Sequence, residues 1–511
     1  MQHIDYSENT KRIAKNTMML YGRMLFSMVV SLYTSRVVLN TLGVVDYGLY
    51  GVVGGFVAMF SLISSSLSSA VSRFLTFELG RGDQARLNKA FSTSLLIHIT
   101  LAVVVFLIAE TVGVWFVNSK MTIPADRLYA ANWVFQASIL SFMFGLFSVP
   151  YNASIVSHEK MSAFAYIGIL DTTLKLMIVL FIAHSHWIFD KLIVYAMLLV
   201  AVSITLQCIY LFYCRKHFEE CRLRVTFDKG LWKEISSFAG WNFIGCTAQL
   251  LKDHGVNIVL NILNGPVLNA ARGVATSVNA AVSSFTGSFM TALNPQITKS
   301  YAINDNEYLF FLVERGSRFS FYILMILAFP IIIETEYILT LWLVQYPEHT
   351  INFVKLVLLM SLFDTMSNTL ITLQLATGKI RDYQLAVGGV LLLNFPLSYI
   401  ALSIQLPPES VYVIAIVISI LCLLLRLFFL KKMAGLSVGR YMKNVVMNVL
   451  IVSIAAIAIP YYIHWRLEYG TLRFLVVGFT SVIFSLLSVL FIGCNKSERH
   501  GIWGKILKIK H

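Results

Sequence analysis

Val38-Leu39-Asn40-Thr41-Leu42-Gly43 returns just past the midpoint of the 511 residues as Val259-Leu260-Asn261-Ile262-Leu263-Asn264. The first copy leads into Ser61-Leu62-Ile63-Ser64-Ser65-Ser66-Leu67-Ser68-Ser69-Ala70. The second leads into Ala280-Ala281-Val282-Ser283-Ser284-Phe285-Thr286-Gly287-Ser288. Both are runs of small residues. They exit into polar stretches, Gly80-Arg81-Gly82-Asp83 and Ala302-Ile303-Asn304-Asp305. Further on, Ser157-His158-Glu159-Lys160 corresponds to Ala376-Thr377-Gly378-Lys379 at nearly the same offset. Chance likeness between apolar helices explains a single short match. It does not explain an ordered series, so the chain reads as two copies of one unit.

Around these copies lie long apolar runs. A helix needs about 20 mostly apolar residues to cross the hydrocarbon core, and about fourteen such segments are legible. They begin near Thr17, Leu49, Phe91, Arg127, Met161, Trp187, Trp232, Val267, Glu307, Asn352, Tyr383, Val411, Tyr441 and Thr471. An even number of segments separates the copies, so both run in the same direction. The expected fold is therefore an all-α polytopic membrane protein: two parallel lobes of about six helices each, then two extra C-terminal helices. The corresponding boundaries are 1–215, 216–433, 434–494 and a basic tail at 495–511. In this architecture the substrate site lies between the lobes, and small-residue stripes suit a lobe interface or cavity wall.

Composition agrees. The chain is 57% hydrophobic and 13% charged, with a mean hydropathy of +0.74. A soluble protein of this length carries about a quarter of its residues as charges. The net charge of +14 does not indicate nucleic acid, because the basic residues sit in short loops between apolar runs. With the amino terminus inside, about 28 Lys and Arg fall on the inner side and about 6 on the outer, as the positive-inside rule requires. Both termini are then cytoplasmic. The tail Ile502–Lys510 alternates apolar and basic groups and suits the anionic inner leaflet as well as solvent.

Several chemistries are not supported. No cysteine pair has zinc-type spacing or suggests a disulfide framework. No cleavable signal peptide is visible. There is no Walker A sequence, no nucleophile constellation, and His184 with His186 makes no metal site. No cofactor is expected, and the loops are too short to house a catalytic domain.

The motifs resemble a known family. Leu42-Gly43-Val44-Val45-Asp46-Tyr47-Gly48-Leu49-Tyr50 is similar to the signature after the first span of Wzx-like polysaccharide flippases. These belong to the multidrug/oligosaccharidyl-lipid/polysaccharide (MOP) exporter superfamily. Gly80-Arg81-Gly82-Asp83-Gln84-Ala85-Arg86 resembles their second-span exit loop, and Leu293-Asn294-Pro295-Gln296-Ile297-Thr298-Lys299-Ser300-Tyr301-Ala302 their eighth-span exit. The resemblance implies a bacterial inner-membrane flippase, not an enzyme. It would carry an undecaprenyl-pyrophosphate-linked oligosaccharide outward by alternating access, with membrane lipid and other polysaccharide-assembly proteins as partners. A lipid II flippase or a multidrug-type exporter of the same superfamily is the alternative, and a membrane polysaccharide polymerase the next.

Charges within spans are costly and mark function. Arg23, Arg36 and Arg73 fall in the first lobe, Lys252 and Arg272 in the second, as candidates to hold a pyrophosphate. Arginines on the first and eighth spans are important in the lipid II branch, which implies a similar role for Arg23, Arg36 and Arg272. Thirteen residues turn Arg36 by about 220° from Arg23, so one face of a straight helix does not present both. Snorkelling to the surface is the plainer role for Arg23, Arg36 and Arg73. Asp171, Lys175 and Asp253 suit either ion coupling or internal pairing, and the four-residue spacing of Asp171 and Lys175 favours a pair. Glu110 and Asp364 are single acids, and prolines at 150, 295, 330, 396 and 460 lie in or near spans.

Overall fold

A computed structural model describes residues 6–58, 60–119, 121, 123–185, 190–222, 226–264, 266–343, 345–495 and 498–499. Among them the regular structure is helical, and no strand occurs. The chain divides into two compact units, Met1–Phe243 and Ile244–His511. This boundary lies inside a helix, downstream of the 215/216 division read from the repeat.

In the first unit, α1 (Tyr6–Ala58) is kinked at Gly43, whose φ of 82° and ψ of 168° suit glycine. Residues 6–42 thus form one stretch. Residues 44–58 open the next, which continues as α2 (Ser61–Arg81). Then come α3 (Gln84–Ile108), a π-turn at Ala109–Gly113 and α4 (Val114–Ser119). Next are α5 (Leu128–Ser157), α6 (Met161–His184), α7 (Lys191–His217) and α8 (Lys229–Leu250). The first half of α8 belongs to this unit: Ser66 Oγ donates to Ala239 O at 2.7 Å, and Phe74 meets Phe238 edge-on.

In the second unit the chain leaves α8 through a π-turn, Leu251–Gly255, into α9 (Val256–Asn264) and α10 (Pro266–Ala302). The helices α11 (Asn306–Ile333), α12 (Thr335–Leu343), α13 (Thr350–Thr365) and α14 (Asn368–Thr377) follow. Then come α15 (Arg381–Leu392), α16 (Asn394–Ser403) and α17 (Ser410–Ala434). The last are α18 (Val438–Tyr441), α19 (Asn448–Arg466) and α20 (Thr471–Ser488). Eleven helices among the described residues are long and apolar enough to cross a membrane. The other long helical stretches are 44–81, 229–264 and 266–302, which hold the small-residue runs and Lys252.

The repeat is visible in the turns. Gly82 and Asn304 both take the left-handed conformation, at φ 73° and 57°. The next residue then caps the following helix: Asp83 Oδ1 accepts from Arg86 N at 2.9 Å, and Asp305 Oδ1 from Tyr308 N at 3.2 Å. Glu159 and Gly378, which occupy matching places in the other pair of motifs, are likewise left-handed, at 57° and 75°.

The last two long stretches dock on α11 and its neighbours through buried polar contacts. Tyr441 donates to Met366 O at 2.7 Å, and Arg318 donates to Gly493 O at 2.8 Å and pairs with Glu498 at 3.0 Å. Such contacts suit helices in lipid, where a side-chain donor satisfies a carbonyl freed by a break in a helix. Met366 lies at the break between α13 and α14.

Candidate functional site

Two of the apolar clusters among the described residues of the first unit flank its cavity. One uses Val53 and Val57, Val134 and Phe135 of α5, and Leu192 and Ala196 of α7. The other uses Val71 and Leu75, Tyr151 and Ile155 of α5, and Cys214 of α7. Between the two levels the sequence turns small and polar: Ser64, Ser138, Ser141, Gly145 and Ser203. A cavity of about 760 Å³ opens there, within the size range of small-molecule sites. A Cβ added at Gly51 or Gly145 would meet nothing within 4 Å. Tyr50 and Tyr195, edge to face with centroids 5.2 Å apart, form part of the wall.

Lys175 is the charged residue of this lining. Its Nζ lies 2.9 Å from Asp171 Oδ2, with the two side chains 49% and 30% exposed, so neither is sealed off. Asp171 Oδ1 has no hydrogen-bond partner among the described residues. Arg23 lies against the same helix. Its guanidinium sits 4.4 Å from the Phe164 ring centroid, and its side chain fills the notch at Gly168, where a Cβ would come within 2.7 Å. Phe164, Gly168, Asp171 and Lys175 recur at helical spacing and share one face of α6.

The other candidates are not gathered at this cavity. Arg36 is exposed on α1 and has no partner among the described residues. Arg73 packs over Phe74 and Phe77 at 4.7 and 4.5 Å. In the second unit, Lys252 is buried. It pairs with Asp364 at 3.2 Å and donates to Ser419 Oγ at 3.3 Å, while its carbonyl, in the π-turn, accepts from Asn394 at 3.1 Å. Arg272 lies 5.5 Å from the Tyr412 ring. The side chains of Asp253 and His254 are outside the described residues, as are His186 and the tail 500–511. Among the described residues no group of three His, Cys, Asp or Glu is placed to hold a metal ion.

Sequence reasoning missed the cavity. A signal existed in Gly51 and Gly54, three residues apart, and in Ser138, Ser141 and Gly145 on one face of α5. Asp46 has a different role from the cavity residues. Arg127 donates to Asp46 Oδ1 at 2.8 Å and to Asp190 at 2.6 Å, and Asp190 caps α7 by accepting from Leu192 N at 2.9 Å. The signature stretch is thus a turn, Gly43, followed by a clamp.

Repeated helical units long and apolar enough to cross a membrane, with a chamber of aliphatic, aromatic and small polar residues in the first, describe a multi-pass membrane protein. The profile of the polysaccharide biosynthesis protein family matches residues 11–301, more than half of the chain. The chain belongs to that family, within the MOP superfamily. Among solved structures it is similar to a MATE transporter in complex with MaL6, with TM-score 0.70 and 12% identity over 84% of this chain and 98% of that one. It is also similar to an outward-facing multidrug resistance MATE family transporter, with TM-score 0.70 and 12% identity over 84% and 96%. A MOP superfamily transporter from Pyrococcus furiosus, whose binding pocket is described as of reverse polarity, matches with TM-score 0.68 and 12% identity over 83% and 95%. Identity at this level carries the fold alone. No curated protein matches the sequence.

Proposed function

We propose that the protein is a flippase of the bacterial inner membrane. It moves an undecaprenyl-pyrophosphate-linked oligosaccharide, a repeat unit of O-antigen, capsule or exopolysaccharide, from the cytoplasmic to the outer leaflet by alternating access, without altering it chemically. The observation that carries this reading is membership of a polysaccharide biosynthesis family by a chain whose crossing helices hold arginine. A pyrophosphate does not cross hydrocarbon bare, and arginine offers a fixed fork of donors that stays protonated. Arg23 and Arg272 on aromatic faces, with Arg36, Arg73 and Lys252, supply cations in both units.

Deletion of the gene followed by mass analysis of membrane lipids tests the reading. Accumulation of an undecaprenyl-pyrophosphate saccharide is expected, and its mass identifies the glycan or a peptidoglycan precursor. Arg23→Ala, Arg36→Ala and Arg272→Ala, expressed at normal levels, should each lower glycan export. A deletion strain with no such intermediate but with lost dye efflux would overturn the flippase in favour of a multidrug exporter. A change only in glycan chain length would favour a polymerase.

A further inference from the structure

Within the first unit, one face of α6 carries an ordered series of groups. Arg23 is seated at Phe164 and Gly168. Asp171 and Lys175 follow on the same face, and Lys175 reaches the wall of the 760 Å³ chamber. The seven residues from Gly168 to Lys175 advance about 10 Å along the helix. With the amino terminus cytoplasmic, α6 runs outward, and the chamber lies beyond Arg23 on the outward side.

The chamber's chemistry is specific. Ser138 Oγ and Ser203 Oγ donate to Val134 O and Leu199 O, at 2.8 and 3.1 Å. Their hydrogens are spent on the helix, so what they present to the cavity is oxygen lone pairs, acceptors for hydroxyl donors. Tyr50, Phe142 and Tyr195 supply aromatic surface. Lys175 adds one flexible cation, held by a carboxylate that is itself incompletely hydrogen bonded. Acceptors for hydroxyls, flat apolar walls and one ammonium together fit a pyranose ring that carries anionic oxygens. A purely apolar ligand would leave the serine oxygens and Lys175 without use, and a cationic one would meet Lys175.

We propose that this chamber binds an anionic sugar of the transported molecule, with Lys175 contacting its negative group and Asp171 being the partner that Lys175 leaves to do so. The anionic oxygens belong either to the glycosyl phosphate that joins sugar to lipid carrier or to a uronate within the glycan. This assignment deepens the flippase reading and rests on it for the substrate class. Lys175 sets affinity by exchanging one oxygen partner for another, so no bond is made or broken.

The test is calorimetric binding to the full chain in lipid nanodiscs, with three probes at matched ionic strength: glucose 1-phosphate, glucuronate and glucose. At least one anionic probe is expected to bind saturably while glucose does not, and the one that binds identifies the source of the charge. Lys175→Met should weaken that binding by about tenfold or more, the usual scale for a lost charge-assisted hydrogen bond. Asp171→Asn should tighten it by removing the competing carboxylate. Gly145→Leu should abolish it by filling the chamber while keeping the thermal midpoint, since the position opens on free space and leucine favours helix over glycine. Equal affinity in wild type and Lys175→Met, weaker binding in Asp171→Asn, or no binding of either anionic sugar overturns the proposal. The two readings fail separately. Accumulated lipid-linked saccharide in the deletion strain, with normal export by Lys175→Met, leaves the flippase standing without this site. Lys175-dependent sugar binding without any accumulation leaves the site standing without the flippase.

Discussion

Charged side chains do two kinds of work in this protein, and their partners distinguish them. At helix ends they tie elements together. Arg127 joins Asp46 to Asp190, and Glu334 takes His464 at 2.6 Å and Arg473 at 3.1 Å. Glu409 is of this kind, accepting from His349 Nδ1 at 2.7 Å and from Asn352 Nδ2 at 2.9 Å just before α17. Burial alone would raise its pKa, but the hydrogen bonds from Asn352 and His349 outweigh burial and hold the carboxyl below the usual glutamate range. A carboxylate with a depressed folded pKa contributes stability above its unfolded value, about 4.3, and loses it as pH falls through the folded value. Glu409→Gln should therefore melt below wild type at neutral pH, and the gap should close as the pH is taken below about 4. Melting curves of both proteins in the same detergent across that range measure it. A gap that stays constant with pH would show that the Glu409 charge contributes nothing. Inside the helices around the chamber, Arg23 has an aromatic seat on Phe164 and Lys175 a single partner in Asp171.

At the scale of elements, the family-like motifs turn out to be turns. The kink at Gly43 carries the prediction that belongs here. Its φ of 82° with ψ of 168° is strained for any residue with a Cβ, although no neighbour lies within 4 Å of one. Gly43→Ala should thus cost about 1–3 kcal/mol through backbone strain alone. Ala at Gly48, an exposed helical glycine of the same motif with equal space, should be neutral or stabilising. Comparing the two melting midpoints checks it, and equal midpoints would remove the turn as the reason for the glycine. Helix positions were legible in the sequence because a crossing helix must satisfy its own backbone and show lipid a long apolar run. The segment begun at Thr471 starts there, and that near Met161 starts at Met161. The first helix begins earlier, at Tyr6, because polar turns ahead of Thr17 remain helical without adding hydropathy. What the sequence withheld was pairing across distance. Nothing local marks Asp364 as the partner of Lys252, or Arg127 as that of Asp46, since each pair depends on how helices far apart in the chain pack. The chamber was hidden for the same reason: its serines and glycines look like packing residues until three helices bring them to one level.

For the whole molecule, the orientation expected from the sequence rests on loop charge and helix parity together. Loop charges put about 28 Lys and Arg on the side of the amino terminus and about 6 opposite. That tally counts the stretches 44–81, 229–264 and 266–302 as crossings as well, although 229–264 and 266–302 are less apolar than the eleven others. A polar crossing helix is tolerated where it faces protein or a water-filled cavity, and these stretches carry the small-residue runs and Lys252. Single cysteines replacing exposed residues, in a background without the six native ones, decide the matter: Gln84→Cys, Glu307→Cys, Val267→Cys, Glu348→Cys and Glu468→Cys. In intact spheroplasts an impermeant maleimide should label positions 267, 348 and 468 and reach 84 and 307 only after permeabilisation. Position 267 carries the weight, because it lies where the stretch 266–302 begins, just after the stretch 229–264 ends. If neither stretch crosses, 84 and 307 keep their side while 267 joins them. Labelling of 267 only after permeabilisation would then leave Lys252 at the membrane surface instead of within it, and remove it from any path an anionic head group takes.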